Sequence, residues 1–230
     1  SPPAEGPAVA PGEAIAPRAP DPERLTHEGL APSREGRVLL IACGALAREI
    51  LALRAANGWT HLDLHCLPAI LHNTPERLPE TVRAAVTRHR DAYDAVHVVY
   101  ADCGTGGRLA AVCAELGVEM VRGPHCYAFF EGTETFAARA EEDFTAFYLT
   151  DFLVRQFDAF VWRPLGLDRH PELRDAYFGN YEKLVYQAQT DDPALTAQAR
   201  DCAERLGLAF ERRVTGYGEL AVALRDWAAR

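Results

Sequence analysis

Val38-Leu39-Leu40-Ile41-Ala42-Cys43-Gly44 is an apolar run that ends on a cysteine and a glycine, and the same order returns at Val96-His97-Val98-Val99-Tyr100-Ala101-Asp102-Cys103-Gly104-Thr105-Gly106-Gly107. Each run has the length and branched content of a buried strand, and helical periodicity follows each, over 45–56 after the first and up to 117 after the second. A further strand is expected after each helix. Displacing the chain against itself by 60 positions superposes Cys43-Gly44 on Cys103-Gly104 and His65-Cys66 on His125-Cys126 without a gap, so both cysteine pairs are 23 residues apart. A further displacement of 90 lays Leu206-Gly207-Leu208 on Leu116-Gly117-Val118, after the strand-like Leu184-Val185-Tyr186-Gln187-Ala188. This third copy has Pro193 and Gly216 where the others have thiols.

Repeated strand–helix–strand units favour right-handed crossovers and parallel pairing, and units too small to bury their own faces must pack together. The expected fold is therefore α/β: three pseudo-repeated units at about 37–80, 94–130 and 183–220 in a single domain spanning 37–230, with the strand-end loops converging on one site. Between the second and third copies, about 131–183, Phe144, Phe147, Tyr148, Phe152 and Phe157 recur at near-helical spacing, which predicts a long helix with a cap. Fifteen of the 21 aromatic residues fall in 127–186, enough to wall an apolar pocket beside the strand ends or simply to build core. Residues 1–36 hold eight of the 15 prolines and little apolar periodicity, which predicts an extended arm held against its own domain or a neighbouring subunit in a homo-oligomer.

The 230 residues carry 24 basic and 33 acidic side chains, a net charge of −9, with Lys183 the sole lysine. That balance argues against a nucleic-acid partner. No apolar run approaches the roughly 18 residues that would suggest a bilayer span, and the N-terminus lacks the order of a signal peptide, so the expected location is cytoplasmic if Ser1 is not a processed end. Six cysteines without the density of a secreted scaffold read as thiols or ligands.

Cys43, Cys66, Cys103 and Cys126 are expected at turns after strands, where free amides at a helix start favour a thiolate. Cys113 and Cys202 fall inside amphipathic helices and read as buried structural thiols. The local spacing matches neither a zinc ribbon nor a ferredoxin, but equivalent loops can bring together ligands far apart in sequence. Cys43, Cys103 and Cys126 are thus the expected ligands of an iron–sulfur cluster whose open position serves a small-molecule substrate. Zinc is the competing occupant, with an imidazole from His65, His72 or His125. His72, in the proline-bounded loop Leu71-His72-Asn73-Thr74-Pro75, is the candidate acid or base. Gly104, Thr105, Gly106 and Gly107 form a glycine-rich strand-to-helix turn suited to a phosphate or carboxylate, without a Walker or dinucleotide fingerprint. Arg163, Asp168, Arg169, His170 and Glu172 could meet a polar substrate end, and Asp191 and Asp192 read first as a helix cap.

With Ile41-Ala42-Cys43-Gly44-Ala45-Leu46, Leu71-His72-Asn73-Thr74-Pro75, Tyr100–Gly107 and His125-Cys126 in view, the chain resembles the uncharacterised domain-of-unknown-function family 1638 from about residue 37 to 220. The family motif carries onto Cys43, His72, Cys103 and Cys126. Members are often associated with corrinoid proteins and trimethylamine-type methyltransferases, so the resemblance implies one-carbon or methylated-amine metabolism, with a corrinoid protein or methyltransferase as partner. The plan of three α/β units with thiols in central loops is also similar to quinolinate synthase and diphthamide-type enzymes, which hold a three-cysteine cluster. A metal-dependent enzyme or accessory protein is the resulting expectation. A zinc–thiolate methyl-transfer protein and a non-catalytic corrinoid-binding module are the alternatives.

Overall fold

A computed structural model of the chain describes residues 19–230. The described segment enters through a short helix, α1 (Pro22–His27), capped by the Asp21 carboxylate, and its Leu25 is buried. The chain then runs along β2 (Leu62–Leu67), where Leu30 and Cys66 exchange both backbone hydrogen bonds at 2.9 and 2.8 Å. Asp63 fixes the approach by accepting from the amides of Ser33 and Arg34, the Ser33 hydroxyl and the Tyr93 hydroxyl. Residues 19–36 therefore fold onto their own chain, with a helix in place of a wholly extended arm. The expectation for 1–18, and with it most of the oligomer-forming arm, lies outside the described residues.

β1 (Val38–Cys43) is apolar throughout, and Leu39 to Cys43 are all buried, because it is paired on both sides. It runs parallel to β2 on one side and to β3 (Ala95–Val99) on the other, and β3 pairs in parallel with the two-residue β4 (Glu119–Met120). The order is β2-β1-β3-β4. Helices α2 (Ala47–Asn57), α3 (Leu78–His89) and α4 (Arg108–Leu116) make the crossovers. Successive connections leave β1 in opposite directions along the sheet, which makes the carboxyl ends of β1 and β3 a topological switch point.

Short helices α5 (Cys126–Glu131) and α6 (Thr133–Ala138) lead to a second parallel sheet of order β5-β6-β7, made of β5 (Ala146–Thr150), β6 (Lys183–Ala188) and β7 (Ala209–Val214). Between its strands lie α7 (Asp151–Arg155), a π-helical turn at Asp158–Trp162, α8 (Arg174–Phe178) and α9 (Pro193–Leu206). The final helix, α10 (Gly218–Ala228), returns to the first core through Leu220, Leu224 and Trp227.

The α/β class and parallel pairing agree with the sequence reading, but the architecture is two sheets and the insert is not a long helix. Ala146-Phe147-Tyr148-Leu149-Thr150 forms β5, where aromatic side chains on a half-buried pleat gain more than they would on a short helix. The repeat also breaks in detail. β2 is six residues long and β4 two, so one 23-residue step lands Cys66 inside a strand and the other lands Cys126 at the start of α5. Cys66 is accordingly a buried strand residue and not a turn cysteine.

The second sheet is tied to the preceding helices by buried charge. Arg213 on β7 and Asp143 ahead of β5 meet through two hydrogen bonds of 2.6 and 2.8 Å, with side chains only 8% and 4% exposed. Lys183 joins Asp143 at 2.8 Å and Glu211 at 3.0 Å, and Tyr148 donates to Asp143 at 2.6 Å. The Arg213 guanidinium holds the Asp143 carboxyl far below the usual carboxylate range, against the opposing effect of burial. Asp143→Ala removes the two-bond partner of that guanidinium, leaving it Glu211 at 2.6 Å and Glu131 at 3.4 Å, and is expected to destabilise the fold, by no more than the roughly 3–5 kcal/mol of a fully broken buried pair, in denaturant titrations at neutral pH. Because the native pKa is depressed, the stabilisation is present above the unfolded value of about 3.9 and disappears only as pH falls through the lower native value.

Glu49 in α2 presents the opposite case. It is 5% exposed, its Oε2 has no hydrogen-bond partner among the described residues, and burial pushes its carboxyl up to about 7, with the Asp151 charge adding to the shift. The folded state therefore binds the extra proton, and stability falls as pH rises from about 4.5 to 7. Glu49→Gln removes this dependence. The stability of the variant relative to the parent should grow across that window by on the order of 1–3 kcal/mol, and a difference that stays flat would refute the assignment.

Candidate functional site

β1 ends on Cys43, and the chain turns at once into a 3₁₀ turn at Gly44–Leu46, whose Ala45 amide donates to the Cys43 sulfur at 3.4 Å. Gly44 is required here, since a Cβ would collide with the Leu25 carbonyl of the docked α1 segment. β3 continues into Tyr100-Ala101-Asp102-Cys103, and Cys103 sits in the left-handed region with φ 50°, a conformation that non-glycine residues rarely adopt and that often marks a functional position. Two hydrogen bonds brace this strand end, from the Asp102 amide to the Gly123 carbonyl and from the Cys103 amide to the Pro124 carbonyl. They draw His125 and Cys126, at the start of α5, beside Cys103.

The result is a cavity of about 460 Å³ at the carboxyl ends of β1 and β3. Cys43, Cys103, Cys126, His72 and His125 all line it, together with Tyr100. The aromatic walls are Tyr127, Phe129 and Phe130 of α5, Phe147 and Tyr148 of β5, Phe152 of α7 and Phe160 of the π-helical turn. Tyr127 and Tyr148 stack with centroids 5.4 Å apart, and Phe136 and His125 close the ring of contacts. Phe144 is exposed, while Phe157 and Phe178 belong to the core of the second sheet.

His72 Nδ1 lies 3.5 Å from Cys43 Sγ. Burial lowers the imidazole pKa, but a contact with the Cys103 sulfur and one with the Ala69 backbone outweigh it, and the net shift is upward. The thiols behave differently from the sequence expectation of thiolates favoured by turn amides. Burial pushes the Cys43 thiol up to about 12 despite the Ala45 amide and drives Cys126 well above its ordinary value, with the charges of Cys103 and Cys43 adding to the rise. Desolvation wins because a lone thiolate in an apolar cavity has no cation to replace its water. A free nucleophilic thiolate at Cys43 or Cys126 is correspondingly disfavoured.

Among the described residues, no three His, Cys, Asp or Glu side chains stand already gathered into a metal-holding group. The donors share one cavity lining without a closed shell. Gly104, Thr105, Gly106 and Gly107 form the expected tight turn, yet its anion is internal: the Asp102 carboxylate accepts from the Gly106 amide at 3.0 Å and from the Gly107 amide and Thr105 hydroxyl at 2.7 Å. An external phosphate would have to displace it. His65 lies on β2 with its ring 5.0 Å from that of His89, away from the cavity lining, and Cys113 and Cys202 are buried in α4 and α9. Asp192 caps α9 through the amides of Ala194 and Leu195. Arg169 pairs with Asp168 and His170 with Glu172 on the surface, none of them in the cavity. The expected convergence of three equivalent loops does not occur. The ends of β1 and β3 meet, and the rest of the lining comes from His72 and Pro75 after β2, from α5 with His125 before it, and from β5 with the residues that follow it.

Tyr100 is the cavity residue that sequence reasoning passed over. Its hydroxyl faces the Cys43 sulfur without hydrogen-bond geometry and has no hydrogen-bond partner among the described residues, although the side chain is 1% exposed. The available signal was a tyrosine ending an otherwise apolar strand run at the switch point.

Among the described residues, no helix is long and apolar enough to cross a membrane. No curated protein and no solved structure matches the chain. A family model described as "Protein of unknown function (DUF1638)" matches residues 66–224, a segment that begins on β2 and leaves β1 and Cys43 before it. The match spans more than half of the sequence, and with the resemblance in its strand-end motifs it makes this chain a member of that family.

Proposed function

We propose that the chain is a metal-dependent enzyme or accessory protein whose cavity holds an iron–sulfur cluster through the thiolates of Cys43, Cys103 and Cys126, with His72 moving a proton beside it. The observation that carries this reading is the presence of three thiols from three separate segments in the lining of one cavity at the switch point. The donor set suits a soft metal, and the raised thiol pKa values are what neutral ligands awaiting a cation would have. Such a cluster supplies an open iron as a Lewis acid or an electron acceptor. Cys103 and His72, already in contact, would orient one edge of the site and hold its proton.

One observation favours a second occupant. The His72 imidazole lies against both Cys43 and Cys103, and three sulfurs with one nitrogen form a standard tetrahedral zinc set. In that case the site would lower the pKa of a thiol substrate and serve methyl transfer. The one-carbon context implied by the family resemblance suits this role. At about 460 Å³ the cavity sits in the lower part of the range for small-molecule sites, roughly 300–1,000 Å³, so a corrinoid would meet its mouth and not its interior.

Protein purified without oxygen should carry iron and acid-labile sulfide in near-stoichiometric amounts, with visible charge-transfer absorption. Cys103→Ala should lose that metal while keeping its far-ultraviolet circular dichroism. Stoichiometric zinc without colour would select the second occupant, and metal-free protein would overturn both. Because each thiol must give up its proton on binding, the apparent affinity for added metal should rise with pH, by about tenfold per pH unit for each proton released. A flat profile between pH 6 and 8 would show that the thiols are not the ligands. Optical titration with hydroxocobalamin tests the corrinoid partner, and an unchanged spectrum and mobility would remove it.

A further inference from the structure

The sequence has 57 charged side chains, yet no Asp, Glu, Lys or Arg lines the cavity. Its titratable groups are thiols, tyrosines and the imidazoles of His72 and His125. An ion entering such a space loses its hydration and finds no fixed counter-charge among the lining side chains, which disfavours it. Two buried polar atoms remain without hydrogen-bond partners among the described residues, the Tyr100 hydroxyl and His125 Nδ1, and both residues line this same cavity. Buried polar groups in native proteins are nearly always satisfied, so orphans at a cavity wall point to a missing ligand or water. A tyrosine hydroxyl carries one O–H and can donate it to an acceptor placed in the cavity.

We infer that the cavity takes an uncharged, largely apolar small molecule with a carbonyl-type oxygen that accepts a hydrogen bond from Tyr100, its apolar body lying against Phe147, Tyr148, Phe152 and Phe160. The inference deepens the function proposed above and rests on it for the cavity being a ligand site, but the orphaned donor and the absence of Asp, Glu, Lys and Arg from the lining do not depend on which metal is present. It assigns Tyr100 as the residue that sets specificity for the oxygen, and it excludes phosphates, carboxylates and ammonium compounds as the principal ligands of this site.

Four probes of one shape separate the terms: acetophenone, ethylbenzene, benzoate and benzylamine, titrated into the full chain by calorimetry, with metal content measured on each sample. Acetophenone should bind most tightly, ethylbenzene more weakly, and the two ions least. Tyr100→Phe should weaken acetophenone about three- to tenfold and leave ethylbenzene unchanged, as expected for one neutral hydrogen bond. The substitution keeps the ring and removes an unpaired hydroxyl, so the melting temperature of the free protein should hold or rise. Tighter binding of either ion, equal loss of both neutral probes in the variant, or no binding by acetophenone would overturn the inference. Acetophenone binding to metal-free protein would leave it standing while overturning the metal reading. Metal-loaded protein that ignores acetophenone would do the reverse.

Discussion

The two-sided pairing of β1 is the constraint on which the rest of the structure depends. A strand bonded in parallel on both edges and buried on both faces has to be apolar along its length, and Leu39 to Cys43 meet that demand with no polar side chain. Parallel pairing in turn requires helical crossovers. Because those crossovers depart in both directions from β1, the space above its carboxyl end stays open. Cys43 is the last residue of that strand, and Tyr100 to Cys103 follow the strand beside it. The cavity is thus a by-product of strand order, and its chemistry comes from whichever residues end the two central strands.

What those residues can do is set by desolvation more than by local geometry. The Ala45 amide does point at the Cys43 sulfur, as a turn cysteine would lead one to expect, but this weak donor, even with the Tyr100 hydroxyl nearby, does not compensate for an apolar enclosure. The same physics acts with opposite results elsewhere. Asp143 is about as shielded from solvent as Glu49, yet it is held ionised because the Arg213 guanidinium and the Lys183 ammonium pair with it. Among the described residues, buried carboxylates stay ionised where partners are buried with them, cations at Asp143 and converging neutral donors at Asp63. The cavity has no such partner, and this separates it from the ion-paired interior only a few residues away along β5.

Much of the first sheet was legible from the sequence because its two central strands, β1 and β3, are apolar runs leading into glycine turns, and the two cysteine loops were legible because a gapless displacement of 60 positions aligns them. β5 was not. Phe147, Tyr148 and Phe152 have a spacing that suits a helix as well as a strand, and only pairing with β6, a partner 37 residues further on at Ala146–Lys183, decides between them. The misplacement of Cys66 has a similar origin, since identical spacing in two units cannot reveal that one strand is six residues long and the other two. Tyr100 escaped notice because its significance lies in an absent hydrogen bond, which no spacing encodes.

The docking of residues 30–34 along β2 has a further consequence. In the order β2-β1-β3-β4, β2 is the outermost strand of its sheet, and an uncovered edge of that kind is a template for pairing with another chain. The Leu30 bridge takes up the outward-facing amide and carbonyl of Cys66, and the backbone clamp on Asp63 keeps the covering segment in place. Gly29 permits the approach, because a Cβ there would run into the Cys66 carbonyl. The segment 30–34 therefore serves as a selvedge: this edge of the sheet is covered by its own chain, where strand addition from a second molecule would otherwise begin.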